Sequence, residues 1–264
     1  MTMTANLYHG DCLEVLKQFP SGSFSCIICD PPYGVTNRSS SAGKWDNVIP
    51  YEPMWEQFLR VSKENAAIVL FGSGMFTAKL MMSQPNLWRY NLIWDKHNPS
   101  GFLNANRMPL REHEDIIVFY RKQPTFHPQM KPCSSKDVVH SRGRLDKPIT
   151  NGCYGKRIEM ESKVRNEKCP TSILHYPKPH YKGQHPTEKP VDLCRWLIRS
   201  YSNPEDMILD PTMGSGTTGV AAVLEGRNFV GIENDAKWYE VANSRIAEAK
   251  KKPIQGDLFN GTLS

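Results

Sequence analysis

Residues 26–34 read Cys-Ile-Ile-Cys-Asp-Pro-Pro-Tyr-Gly, a short apolar run that ends on an acid, two prolines and an aromatic ring. Apolar residues bounded by Pro and Gly mark the end of a strand. There Asp30 offers a hydrogen-bond acceptor, Pro31 and Pro32 stiffen the backbone that presents their carbonyls, and Tyr33 offers a stacking surface. What an acid, a rigid backbone and an exposed ring do together at a strand end depends on the partner that the rest of the chain supplies.

A second constellation lies at Asp210-Pro-Thr-Met-Gly-Ser-Gly-Thr-Thr-Gly219, in which Gly214, Gly216 and Gly219 form GxGxxG and Glu233 follows 19 residues after the first glycine. Taken literally this is a dinucleotide fingerprint, and a nicotinamide-dependent oxidoreductase is one reading. Asp210 argues for another ligand, because a dinucleotide brings pyrophosphate to the helix N-terminus, where a carboxylate repels it. An acid suits a positively charged ligand such as S-adenosylmethionine (SAM), with its ammonium and sulfonium, and the glycines let the backbone approach it closely. Glu233 serves either ligand, since both contain an adenosine ribose.

The elements that must hold these residues alternate in type. Apolar runs at 23–29, 66–71, 90–94 and 114–120 predict strands, and 54–61 has helical spacing. After residue 185 the spacing predicts a helix over 191–201, a strand over 207–210, a helix over 217–224, a strand over 229–233 and a closing helix over 236–251. The pattern is α/β. Between them, residues 123–182 are rich in Pro, Ser and His and carry 12 Lys and Arg against five Asp and Glu. The chain's net charge of +6 therefore resides in this segment. The expected organisation is a first catalytic part (1–122), a basic insertion (123–182) and a second part (183–264).

Composition excludes several classes. No run reaches the roughly 18 apolar residues of a membrane span, and the start lacks a basic-then-apolar leader, so a cytoplasmic protein is expected. Seven cysteines without a repeated spacing fit reduced thiols. Cys26 and Cys29 form a CxxC inside a predicted strand, where residues three apart face opposite ways, so no metal site is expected. Pro132-Cys133 matches the Pro-Cys nucleophile of cytosine C5 methylating enzymes but lies far from any strand end. His113-Glu114 belongs to no zinc motif and reads as a polar strand-edge pair.

Taken in order, these stretches resemble the amino-directed DNA methyltransferases of the permuted (beta) type, in which the target-base motif precedes the cofactor motif. Asp30-Pro-Pro-Tyr33 is similar to the family's catalytic motif, His185-Pro-Thr-Glu-Lys-Pro190 to the element before the cofactor strand, and 210–219 to the SAM loop. Residues 231–246 resemble the ribose-binding strand and its helix, and Gly10-Asp11 the acid at the cofactor adenine. The resemblance implies a Rossmann-like SAM-dependent methyltransferase sheet with an inserted target-recognition region.

It also implies site roles. Asp30, Pro31, Pro32 and Tyr33 would be catalytic, and SAM would meet Asp11, Cys12, Asp30, His185, Thr187, Lys189, Asp210, Pro211, Met213, Gly214, Gly216, Thr217, Glu233 and Asn234. His185 and Lys189 would either touch the methionine carboxylate or begin the next helix. The partner would be double-stranded DNA, its phosphates met by the basic insertion and its bases by some of Arg142, Arg144, Lys156, Arg157 and Arg165. The target base would be flipped into the site, with Gly34–Asn47 as a closing loop. In this family Asp at the first motif position favours adenine N6 over cytosine N4, and a homodimer is common. A DNA-binding module with an inactive site remains a third reading, and the resemblance leaves the recognition sequence and any partner restriction nuclease open.

Overall fold

The computed structural model describes residues 3–34, 46–132, 167–178 and 188–252. The chain divides into a larger unit, residues 1–127 with 172–264, and a smaller one, residues 128–171. In the smaller unit the described residues include one antiparallel pair, β6 (Lys131–Pro132) with β7 (Glu167–Lys168).

The larger unit is built on an eight-stranded sheet. Its strands are β1 (Ala5–His9), β2 (Phe24–Cys29), β3 (Ser62–Gly72), β4 (Trp88–Ser100), β5 (Arg111–Phe119), β8 (Ile173–His175), β9 (Met207–Asp210) and β10 (Asn228–Glu233), in the order β1-β10-β9-β2-β3-β5-β4-β8. The five strands from β1 to β3 are parallel, and β5 runs against both β3 and β4. The return to the sheet comes earlier than expected, because β8 pairs with β4 through Ile93↔Ile173 and Asp95↔His175. Only three residues long, β8 carries no periodicity, so the expected insertion of 123–182 included it.

Alternation along β2 divides the core. Cys26 and Ile28 join the layer that contains α4 (Val191–Tyr201), α5 (Thr217–Leu224) and α6 (Ala236–Lys250). Ile27 and Cys29 join the opposite layer, with α1 (Cys12–Leu16), α2 (Tyr51–Val61) and α3 (Met75–Ser83). A strand covered on both faces reads as a continuous apolar run, as β2 does. Cys26 and Cys29 are thus buried free thiols in separate layers. Among the described residues no helix is long and apolar enough to cross a membrane.

Strands β9 and β2 are parallel neighbours, but the chain leaves β9 towards β10 and leaves β2 towards β3. Their carboxyl ends therefore flank a topological switch point, where open α/β sheets leave a crevice. Asp210 is the last residue of β9, and Asp30 follows the last residue of β2.

The third glycine of the GxGxxG serves packing. A Cβ at Gly219 would stand 2.4 Å from Ile246 Cδ1 and 2.6 Å from Phe229 Cε1. Alanine at this helical position gains about 1 kcal/mol of propensity, whereas forcing a methyl into a filled core costs about 1–3 kcal/mol. Gly219→Ala is expected to lower the melting temperature by several degrees, read by calorimetry. An unchanged or raised value would show that the two side chains yield freely.

Candidate functional site

A cavity of about 740 Å³ opens at the carboxyl ends of β1, β10, β9 and β2. Of the expected site residues its wall includes Asp11, Cys12, Asp30, Pro31, Pro32, Tyr33, Lys189, Asp210, Pro211, Met213, Gly214, Thr217, Glu233 and Asn234. Gly216 lies off the wall: its φ is 80°, and a Cβ there would come within 2.9 Å of the Ala242 backbone, so it docks α5 against α6. His185, Thr187, Arg142, Arg144, Lys156, Arg157 and Arg165 lie outside the described residues, as does the span 35–45 of the expected closing loop. The two ends of that loop meet where Gly34 N–H donates to Asp46 Oδ1 at 2.8 Å.

One end of the cavity is acidic. Glu233, closing β10, accepts the N–H groups of Gly214 and Asp235, both at 2.8 Å. Burial raises its pKa, and these N–H groups oppose the rise. Gly214 has a φ of 52°, and no atom lies within 4 Å of where its Cβ would stand. The chain there bends with its backbone bare towards the cavity. Asp11 caps α1 through Oδ1, which accepts the N–H groups of Leu13 (2.8 Å) and Glu14 (3.4 Å). Burial pushes the neighbouring Cys12 thiol up to about 12, so it is a packing group and not a nucleophile. Thr217 donates to the buried Glu188, which also pairs with Arg245 from α6.

Asp210 is 3% exposed. Burial pushes its carboxyl up to about 7, Thr218 and the Thr212 N–H draw it down, and Asp30 and Glu233 add to the rise. This acidic end suits a cationic ligand and disfavours a pyrophosphate. Its residues fit SAM, with Glu233 beside the glycine bend for ribose hydroxyls and Asp210 for positive charge.

The other end is organised around Asp30. Tyr33 O–H donates to Asp30 Oδ1 at 2.7 Å, Lys189 Nζ donates to Oδ2 at 2.6 Å, and the Asp30 carbonyl accepts from Thr212 Oγ1 at 3.1 Å. Lys189 lies also 3.3 Å from Glu114 Oε2, and Glu114 Oε1 is 3.3 Å from Lys96 Nζ. Lys189 is therefore paired with two carboxylates, Asp30 and Glu114. Glu114, expected as a polar strand-edge residue, lies instead on the cavity wall with its side chain 19% exposed. Its partner is 75 residues away, a distance over which local patterning carries no signal. The Tyr33 ring stacks on Phe76, with centroids 4.8 Å apart and planes at 27°.

Asp95, His97 and His175 place one ligand atom each within 4.8 Å of one another, among the described residues. Asp95 already accepts from the His97 N–H at 2.9 Å and pairs with His175 Nδ1 at 2.7 Å. This arrangement clasps β8 to β4 without requiring an ion.

Asp210 makes the stability of the fold pH-sensitive in a defined direction. Its folded pKa of about 7 exceeds the ordinary 3.8. The folded state holds the proton more tightly, so this contribution to stability is full below about pH 4 and is lost as pH rises through about 7. Asp210→Asn should raise the ligand-free melting temperature, with the advantage growing from pH 4 to 7 and then levelling, to a total of several degrees. A constant offset across that range would contradict a buried, uncompensated carboxyl.

The family model described as DNA methylase (N6_N4_Mtase) matches residues 24–244. The chain is 27% identical to the Type II methyltransferase M2.MboI of Moraxella bovis, over 92% of this chain and 88% of that protein. It is 30% identical to the Type II methyltransferase M.HinfI of Haemophilus influenzae, over 95% and 70%. Among solved structures it is similar to the M1.HpyAVI-SAM complex, with a TM-score of 0.60 and 24% identity over 92% of this chain and 99% of that one. It is also similar to the cytosine-N4-specific PvuII DNA methyltransferase, with a TM-score of 0.62 and 16% identity over 95% and 93%. The paired strand-end acids, the glycine bend and the matched span have one common reading: the chain belongs to the N6/N4 DNA methylase family, and its cofactor is SAM.

Proposed function

We propose that this chain is a site-specific methyltransferase that methylates adenine N6 in double-stranded DNA, with the base flipped into the cavity. The observation that carries the reading is the single cavity reaching from Asp210 and Glu233 to Asp30 and Tyr33. A methyl donor at one end and a base at the other would meet at the switch point.

SAM supplies a methyl group on a positively charged sulfur, which leaves with the electrons of the broken C–S bond. An exocyclic amine is a poor nucleophile because its lone pair is delocalised into the ring. In this reading Asp30 and the Pro31 carbonyl each accept one N6 hydrogen, drawing the nitrogen towards tetrahedral geometry and aiming its lone pair at the methyl group. Tyr33, held by Phe76 and Asp30, has its ring orientation set before a base arrives and can stack on it. In the same reading the methylated nitrogen sheds its proton through Asp30 to water. Asp210 and Glu233 address the cofactor.

The aspartate at position 30 favours adenine by family tendency. Cytosine N4 is the second reading, since the same amine chemistry applies and the similar PvuII enzyme is cytosine-N4-specific. Phosphate and base contacts belong in this reading to the basic insertion, with Arg142, Arg144, Lys156, Arg157 and Arg165 as candidates, and the working form on a palindromic target is a homodimer.

The division of roles is tested by substitution. Asp30→Ala should reduce methyl transfer to DNA by on the order of a thousandfold while SAM affinity, measured by calorimetry, stays within several-fold. Asp210→Ala and Glu233→Ala should each weaken SAM binding by about 10- to 100-fold, the value of a charged hydrogen bond. Equal loss of SAM affinity in all three variants would defeat the assignment.

A further inference from the structure

Lys189 is 7% exposed, and its ammonium lies 5.1 Å from the Phe71 ring centroid, 5.8 Å from Tyr33 and 5.9 Å from Trp94. With aromatic rings around it and little access to water, this cation depends on carboxylates for its stability. It meets two, at unequal quality. The Asp30 contact is a hydrogen bond of 2.6 Å, whereas Glu114 Oε2, 3.3 Å away, has no aligned hydrogen-bond donor among the described residues. Glu114 therefore acts on Lys189 mainly by charge, and Lys96, 3% exposed, balances Glu114 from the far side.

We propose that Lys189 is a positioning residue for methyl transfer, holding the Asp30 carboxylate against the base, and that Glu114 sets the strength of that hold by sharing the same ammonium. The inference rests on the methyl-transfer reading of Asp30. In a row that alternates Lys96, Glu114, Lys189 and Asp30, each charge is stabilised by the next, and a flipped base would meet an acceptor whose orientation is already set. Removing Lys189 leaves two carboxylates facing each other, and removing the charge of Glu114 leaves Lys189 to Asp30 alone. The two changes therefore act on Asp30 in opposite directions.

Among the described residues the remaining groups that bear on this pair are Tyr33 beside Asp30, Asp210 from β9, Cys29 from β2, Cys194 from α4 and Lys178 after β8. None stands between Asp30 and Lys189, which are in direct contact. For Asp30, burial raises the pKa, Lys189 lowers it and Glu114 raises it. Lys189 itself is depressed by burial, but the two carboxylates outweigh this and hold it above the ordinary lysine value.

The test follows the Asp30 carboxyl by carbon-13 NMR titration of the whole protein, alongside the pH profile of methyl transfer. Lys189→Met should move the Asp30 titration and the acid limb of the profile to higher pH by a unit or more. It should lower kcat at neutral pH about tenfold or more while SAM affinity stays within several-fold. Glu114→Gln should move both to lower pH, the double variant should fall between, and Lys189→Arg should stay near the wild type. Shifts of the same sign in the two single variants, or no shift in Lys189→Met, would overturn the proposal. If the wild type transfers no methyl group but the Asp30 titration moves in these opposite directions, the pairing stands and the methyl-transfer reading fails.

Discussion

Strands β9 and β2 lie side by side while their onward connections leave in opposite directions, and every other feature of the site depends on that divergence. It opens a crevice between the two strand ends, so two ligands can be presented to each other from adjacent strand ends. The glycine bend at 214 and the rigid Pro31-Pro32 turn are the local solutions that each loop adopts at its side of the crevice. Thr212 ties the sides together by donating to the Asp30 carbonyl, fixing the backbone of one loop against the other.

The electrostatics follow from the same crowding. Asp30, Glu114, Asp210 and Glu233 share one cavity wall, and like charges brought together there must find cations or take up protons. Asp30 and Glu114 have Lys189, and for Glu114 the two lysines outweigh burial and hold its carboxyl below the usual range. For Asp210 burial is the largest influence and hydrogen bonds from Thr218 and Thr212 offset it only in part, so its carboxyl is lifted to about 7. In the proposed reading the sulfonium or ammonium of SAM meets this end. The two ends of the cavity are thereby distinguished: at one the acids are paired with lysines, and at the other, in the proposed reading, they await a cationic ligand.

Much of this was legible in the sequence. Strand β9 and helices α4 and α5 fall where the spacing placed them, because their apolar faces are continuous and their ends carry Pro, Gly or an acid. Helices α1 and α3 and the edge strand β1 were not read: α1 has five residues, β1 has five with irregular burial, and α3 has exposed methionines at 75 and 82 that blur its spacing. The glycine bend and the strand-end acids were legible because each motif is contiguous. The partnership of Lys189 with Glu114 was not, because β5 and the segment before α4 meet only through the fold. Lys189 was expected either at a cofactor carboxylate or at the start of the next helix; its pairing with Asp30 was not foreseen, because the two residues lie 159 positions apart in the chain.

The account is tested most directly by incubating the purified protein with SAM and double-stranded DNA of mixed sequence, digesting the DNA to nucleosides and identifying methylated species by mass spectrometry. It predicts N6-methyl-2′-deoxyadenosine, produced by the wild type and absent with Asp30→Ala. N4-methyl-2′-deoxycytidine in its place would keep the amine chemistry and overturn the assignment of the base. No methylated nucleoside, with SAM bound by the wild type, would contradict the account.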